Sequence, residues 1–274
     1  NEQNAFDLVD TTNDQVYNGT PTGTDRCKQA VDETRGILAM NGTAYAATYY
    51  TASNGGQIDS VSNIWGSASY DYVRVKDDPF DLINENSQVR TVNVNKSGTQ
   101  PSQSLNALLV AKAKTVFQAA DATITKVHAI TPHTPRYPIP SRLYTKLDFD
   151  VTASCDGESK RGTLTFDIFS ELEAPLGMSI NGDNNELWTV KETATGFAIQ
   201  ARRFGHGTGL SQRGAMKMGE MGYSFDEILA FYFEGCTLKR QTFYKTIASN
   251  LGASGDSYST RVEAVALPDV SKAY

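Results

Sequence analysis

The feature that most constrains this chain is the run Phe204-Gly205-His206-Gly207-Thr208-Gly209-Leu210-Ser211-Gln212-Arg213-Gly214-Ala215. An alternating stretch, Thr195 to Arg203, leads into it and predicts a strand. Glycines at alternate positions let the backbone turn tightly and come close to a ligand or another segment. Behind them, Ser211 to Met221 predicts a helix closed by Gly222 at the C′ position. One imidazole, His206, therefore stands between glycines beside a helix start that carries a hydroxyl, Ser211, and an amide, Gln212. Two roles are open to it: bracing a tight turn, or hydrogen bonding to a ligand.

A strand, a Gly-rich loop and a helix are also the parts of a phosphate cradle. Position 210 is Leu, however, which breaks G-x-G-x-x-G, and Gly222 leads straight into a second helix, Phe225 to Phe233. Ser224 with Glu227 three residues on forms its capping box. Strand, loop, helix, helix is not a βαβ unit. A nucleophile elbow is absent as well, since Arg213 stands where G-x-S-x-G needs its second glycine. A net charge of −6 without a basic stripe argues against nucleic acid as a partner. No run of 18 apolar residues predicts a membrane span. Thirteen Tyr among many Asn, Thr and Ser suit a surface that meets sugars.

Elsewhere the chain predicts a mixed α+β, strand-rich domain with a few helices. Thr24 precedes a helix over Asp25–Arg35, and Asn41-Gly42 marks a hairpin between Gly36–Met40 and Thr43–Thr51. Asn84–Ser104 is polar and reads as a loop or as an edge strand around Val89–Val94. Ser104 caps a helix over Leu105–Ala119, whose Leu105, Leu108, Leu109, Ala113, Val116 and Phe117 form a core stripe. Pro132 to Pro140 is a Pro-rich connection, a candidate insertion or boundary. Leu143–Ser154 and Arg161–Phe169 predict an antiparallel pair, followed by a strand at Glu186–Lys191. Phe243–Ala248 and Ser259–Leu267 read as further strands around a flexible Ser249–Gly255. His128 and His133 lack partners at ligand spacing. Cys27, Cys155 and Cys236 form no C-x-x-C pair and allow either one disulfide with a free thiol or three free thiols.

Phe204 to Cys236 resembles the C-terminal signature of the stage II sporulation protein D family, the SpoIID/LytB-type domain. The Gly-His-Gly run is followed, as in that family, by Gly222-Tyr223-Ser224-Phe225-Asp226-Glu227-Ile228-Leu229 and by Tyr232-Phe233-Glu234-Gly235-Cys236. Tyr50, Ser53, Gly55 and Gly56 match a second family run, with Thr51 in place of a His and Asn54 in place of a Ser. Trp65-Gly66, Tyr72-Val73-Arg74-Val75 and Asp77-Asp78-Pro79-Phe80-Asp81 continue the correspondence. Residues 1–125 and 126–274 would be the two parts of one such domain.

The resemblance implies a peptidoglycan lytic transglycosylase of the cell envelope or a secreted one, acting on glycan strands, with a cell-wall amidase as a partner. It implies a glycan groove lined by Tyr50, Ser53, Asn54, Gly55, Gly56, Trp65, Gly205, His206, Gly207, Ser211, Gln212 and Tyr232. Some family members bind zinc in a segment matching Ala5–Tyr17, but the ligand positions fall on Val9, Asn13 and Asp14, so neither metal nor cofactor is expected. The family's catalytic Glu lies in a helix just upstream of that segment, and its motif is absent here. No catalytic acid is therefore assigned. The start at Asn1-Glu2-Gln3 without Met reads as a processed or trimmed beginning. Three explanations stay open: the downstream piece of a longer enzyme, a non-catalytic glycan-binding module, or an unrelated carboxylate such as Glu234 or Asp226.

Overall fold

The computed structural model describes residue 19, residues 22–245 and the strand Thr260–Val265. The segment Ala5–Tyr17, with Val9, Asn13 and Asp14, lies outside the described residues, as does 246–259. Two compact units emerge, one from the described residues before Met40 and after Thr237, the other from Met40–Thr237. The architecture is α+β.

Helix α1 (Asp25–Glu33) precedes β1 (Ile37–Asn41), and the Asn-Gly turn delivers β2 (Ala44–Tyr45), paired as Met40↔Tyr45 and Asn41↔Ala44. The predicted return strand is cut short at Tyr45. Beyond it the chain changes partner: β3 (Tyr50–Thr51) runs parallel to a distant segment at Leu210–Ser211. Short elements follow, β4 (Gln57–Ile58), α2 (Val61–Trp65), β5 (Lys76–Asp77) and α3 (Pro79–Ile83). Asp78 caps α3 directly before Pro79, a residue suited to the first helical position.

The larger core lies between two antiparallel three-stranded sheets and one helix. β6 (Val89–Asn95) begins it, and α4 (Gln103–Phe117) is capped by Ser102, whose hydroxyl accepts from Leu105 N at 3.2 Å, not by Ser104 as expected. Leu105, Leu109 and Ala113 are buried one turn apart, while Val116, assigned to the same stripe, is exposed. β7 (Ala122–Pro135), β8 (Tyr144–Cys155) and β9 (Glu158–Asp167) form a meander; of the stretch read as a Pro-rich connection, Pro132 to Pro135 is the end of β7, paired with β8, and residues 136–143 make the first turn. Asp156 and Gly157 both take positive φ in the second turn, as a two-residue hairpin requires. Along β8, Leu147, Phe149, Val151, Ala153 and Cys155 alternate inward.

A π-helical turn (Ile168–Glu173) leads to β10 (Leu187–Glu192) and β11 (Gly196–Arg202), which pairs with β10 on one side and β6 on the other. β12 (Leu210–Ser211), α5 (Gln212–Glu220) and α6 (Phe225–Tyr232) complete this unit around a second apolar cluster that includes Ile58, Val61, Tyr72, Val73, Met218, Tyr232 and Phe233. The expected capping box is present: the Glu227 carboxylate accepts from Ser224 N at 2.8 Å and from its hydroxyl at 2.9 Å. In the first unit, β13 (Thr237–Lys245) pairs antiparallel with β14 (Thr260–Val265), and Gln241 N donates to Gly36 O. Cys27, Cys155 and Cys236 are all free thiols. No helix among the described residues is long and apolar enough to cross a membrane.

Candidate functional site

Two stretches far apart in sequence are laced together by backbone hydrogen bonds. Ser53 and Phe204 exchange both bonds, Ser53 N to Phe204 O at 3.0 Å and Phe204 N to Ser53 O at 2.9 Å. Leu210 N reaches Tyr49 O at 2.9 Å, Asp59 N reaches Gly207 O at 2.9 Å, and Arg213 N reaches Ala52 O at 3.1 Å. Thr51 Oγ1 donates to Phe204 O at 3.1 Å and accepts from Gly207 N at 3.3 Å. The glycines permit this closeness. A Cβ on Gly209 (φ +73) would lie 2.0 Å from Tyr49 O, and one on Gly205 (φ +100) would lie 2.4 Å from Thr51 Oγ1.

Beneath the loops lie three carboxylates and one arginine, all withdrawn from solvent. Arg203 Nη1 pairs with Asp59 Oδ2 at 3.0 Å, while Nε and Nη2 donate to Asn54 O and Gln57 O, each at 3.0 Å. Burial pulls the guanidinium pKa down, and the Asp59 charge opposes that. Asp81 accepts from Ser53 Oγ at 2.8 Å, Asn54 N at 2.7 Å, Ser87 Oγ at 2.9 Å and Ser211 Oγ at 2.7 Å. Asp78 accepts from Asn54 Nδ2 at 2.7 Å and Tyr232 Oη at 2.8 Å. Burial raises the Asp78 pKa despite these donors, and burial followed by the Asp78 charge raises that of Tyr232. Gly214 makes room for the arrangement, since a Cβ there would sit 2.1 Å from Tyr232 Oη.

An aromatic surface stands above this base. The His206 ring lies 4.9 Å from Trp65, Trp65 lies 4.8 Å from Tyr49, and Tyr49 lies 5.5 Å from Tyr70. Trp65 keeps 49% of its surface exposed at the end of α2, which Gly66 closes with a left-handed turn. Thr208 N donates to His206 Nδ1 at 3.1 Å, which leaves the ring proton on Nε2. Burial lowers the His206 pKa, with the Tyr50 carbonyl and the Arg203 charge as lesser, opposed influences, so the ring is neutral at physiological pH.

The residues singled out in the sequence thus divide into two groups. His206, Trp65, Tyr50 and Gln212 offer side chains to solvent, wholly or in part. Ser53, Asn54, Ser211 and Tyr232 are buried and committed to Asp78 or Asp81, while Gly55, Gly56, Gly205 and Gly207 set backbone paths. Sequence reasoning does not reach Tyr49, Tyr70 and Arg203. Their local signals are an aromatic pair at 49–50, a Tyr70-x-Tyr72 spacing and the second of two arginines that follow an apolar strand. Glu234, considered as an alternative carboxylate, is ion-paired with Lys76 at 2.8 Å, and that contact lowers its pKa. Among the described residues no group of three or more His, Cys, Asp or Glu could hold a metal ion. A half-open cavity of about 290 Å³, lined by residues including Leu82, Arg142, Tyr144 and Trp188, lies between β7 and β10 and includes neither His206 nor Trp65.

No family model matches the chain. It is 26% identical over 250 residues to the "Amidase enhancer" of Bacillus subtilis (strain 168), an alignment covering 84% of this chain and 35% of that protein. It is 28% identical over 232 residues to an uncharacterized protein of Brachyspira hyodysenteriae (strain ATCC 49526 / WA1), covering 84% of this chain and 53% of the other. The chain therefore spans about a third and about half of the length of these two relatives. It is distantly related to the Bacillus subtilis protein.

Proposed function

We propose that the His206–Trp65–Tyr49 surface binds peptidoglycan glycan strands, and that the unit Met40–Thr237 is the strand-holding part of a SpoIID-like lytic transglycosylase. The observation that carries this is the half-exposed Trp65 ring lying against a neutral His206, with centroids 4.9 Å apart and planes tilted by 55°. An indole face covers the C–H face of a sugar ring, and the His206 ring beside it adds a polar group. Rigidity underneath favours such a role, because a surface fixed in advance loses little entropy on binding.

Non-hydrolytic cleavage needs one carboxylic acid. It protonates the leaving O4 as the C1–O4 bond breaks, then takes the proton of the muramyl C6 hydroxyl as O6 closes on C1. Asp59, Asp78 and Asp81 are each occupied by internal hydrogen bonds, so none of them is assigned that step. The same observation favours a second reading, a glycan-binding module without chemistry of its own. The relative in Bacillus subtilis is called an amidase enhancer, which makes a cell-wall amidase the proposed partner, and an extracytoplasmic location goes with a glycan substrate.

Mass spectrometry of peptide-free glycan strands after incubation with the protein separates the readings. New 1,6-anhydro ends support the transglycosylase, binding without new ends supports the module, and neither binding nor new ends removes the glycan proposal.

A further inference from the structure

β7 and β10 are each the outer strand of their sheet, and the half-open cavity of about 290 Å³ lies between them. Its volume stands near the lower end of ligand pockets, about 300–1,000 Å³. Most of the lining comes from Ile130–Pro132 of β7 and Leu187–Val190 of β10. Among the described residues, no backbone hydrogen bond outside the strand ladders occupies either stretch. Pro132 has no N–H to offer, which suits an outer strand. Trp188 belongs to the lining too, and its indole Nε1–H is buried without an acceptor among the described residues.

The lining contains one cation, Arg142. Its backbone N is anchored to Oε1 of the buried Gln57 at 2.7 Å, and Gln57 Nε2 donates to Pro140 O at 3.0 Å. The side chain is held less firmly. Its guanidinium pairs with Asp77, but the two side chains are 39% and 67% exposed, and its bond to Gly56 O is long, at 3.4 Å. A solvent-exposed ion pair contributes little, so the fork is open to exchange for another carboxylate, which it meets with two parallel bonds.

We propose that this cavity is a peptide site, taking a short peptide with small apolar side chains whose free C-terminal carboxylate displaces Asp77 on Arg142. Ile130, Leu187 and Val190 favour small apolar groups, and outer strands present main-chain N–H and C=O groups that a peptide backbone matches. An aliphatic acid without amides would use Arg142 and none of those groups. Gly55 also lines the cavity, and the carbonyls of Asn54 and Gln57 to either side of it are held by Arg203. The site therefore borders the loop that carries Ser53 and Asn54, yet it includes neither His206 nor Trp65 and does not depend on the glycan reading.

The test is titration of N-acetyl-trialanine into the protein, followed by NMR at the indole N–H signals. The chain has two tryptophans, so Trp65→Phe assigns the signal of Trp188. Saturable shifts are expected at the Trp188 indole and the Gly55 amide. The C-terminal amide of the same peptide should bind at least tenfold more weakly, and so should hexanoate. Arg142→Met, which keeps the stem and removes the fork, should lose the same factor, while Asp77→Asn should tighten binding severalfold. A second peptide ending in two D-alanines identifies the source. Tighter binding than the all-L peptide assigns the site to cell-wall peptides, weaker binding to protein C-termini, and both keep the proposal. No saturable shift at Trp188 with either peptide overturns it, as do equal affinities for acid and amide, or for peptide and hexanoate. Should Arg142→Met fail to fold, the acid and amide comparison on the wild type decides. Because no sugar is present, failure of the glycan reading leaves this result untouched.

Discussion

Arg203 and Asp59 form an ion pair of 3.0 Å in which neither side chain reaches solvent. The guanidinium also ties down the carbonyls of Asn54 and Gln57, so one residue closes the strand, the 53–59 loop and the Gly-rich loop together. Removing one partner of such a pair strands the other charge, at a cost of about 3–5 kcal/mol. Arg203→Met is expected to lower stability by that amount in urea unfolding. A loss below about 1 kcal/mol would mean that the loops are held elsewhere.

Ser211 serves two partners at once. Its hydroxyl caps α5 through Gly214 N at 3.1 Å and donates to Asp81 at 2.7 Å. Ser211→Ala should cost about 2–4 kcal/mol, the sum of a lost cap and an unsatisfied buried carboxylate oxygen. Tyr232→Phe removes only the donor to Asp78 and should cost about 1–3 kcal/mol. Both measurements are of unfolding free energy. A substrate-facing role without a structural one would leave stability unchanged and alter binding alone.

Gly209 and Gly66 share a φ of +73°, yet only Gly209 is crowded. Gly66→Ala should lose about 1–2 kcal/mol, the cost of a left-handed alanine. Gly209→Ala adds a collision with Tyr49 O and should lose clearly more, with the difference read from melting curves of the two variants. Equal losses would show that the loops can part without cost.

The pH dependence of stability has opposite signs at its two ends. His206 has a folded pKa below its unfolded value of about 6.5, so its contribution is complete above that pH and is lost as pH falls through the window beneath it. Asp167, lowered to about 2 first by Ser170 N and then by Ser170 Oγ and Lys146 against a burial penalty, adds a further loss below about pH 4. Glu173 is raised, so the folded state holds its proton and stability declines as pH rises from the ordinary carboxylate range toward about 8. Chemical unfolding between these limits should give a dome. Glu173→Gln should flatten its alkaline side, and His206→Gln the slope just below pH 6.5. An unchanged alkaline slope in Glu173→Gln would contradict the assignment.

Local signals carried much of the fold. The Asn-Gly and Asp-Gly turns, the capping box at Ser224 and the alternation along Tyr144–Cys155 each depend on neighbours in sequence. Failures came where distant segments decide. The strand expected to run to Thr51 ends at Tyr45 because Tyr50 and Thr51 pair with Leu210 and Ser211, some 160 residues on. The cap of α4 moved from Ser104 to Ser102, because either serine satisfies the pattern and only geometry selects one. In the candidate site, His206 and Trp65 were legible, being a partly buried imidazole and an exposed indole beside glycines. The burial of Ser53, Asn54, Ser211 and Tyr232 was not, since Asp78 and Asp81, which claim them, lie 24 to 154 positions away in the chain.

The most direct measurement is calorimetric titration of peptide-free glycan strands into the wild-type protein and into Trp65→Ala at equal melting temperature. Trp65 lies at the centre of the ring series from His206 to Tyr70 and is half exposed, so its removal should spare the fold. Wild-type binding that weakens about tenfold or more in Trp65→Ala, roughly 1.4 kcal/mol, is the expected result. Equal affinity in the two proteins, or no binding by the wild type, would contradict the assignment of this surface to glycan.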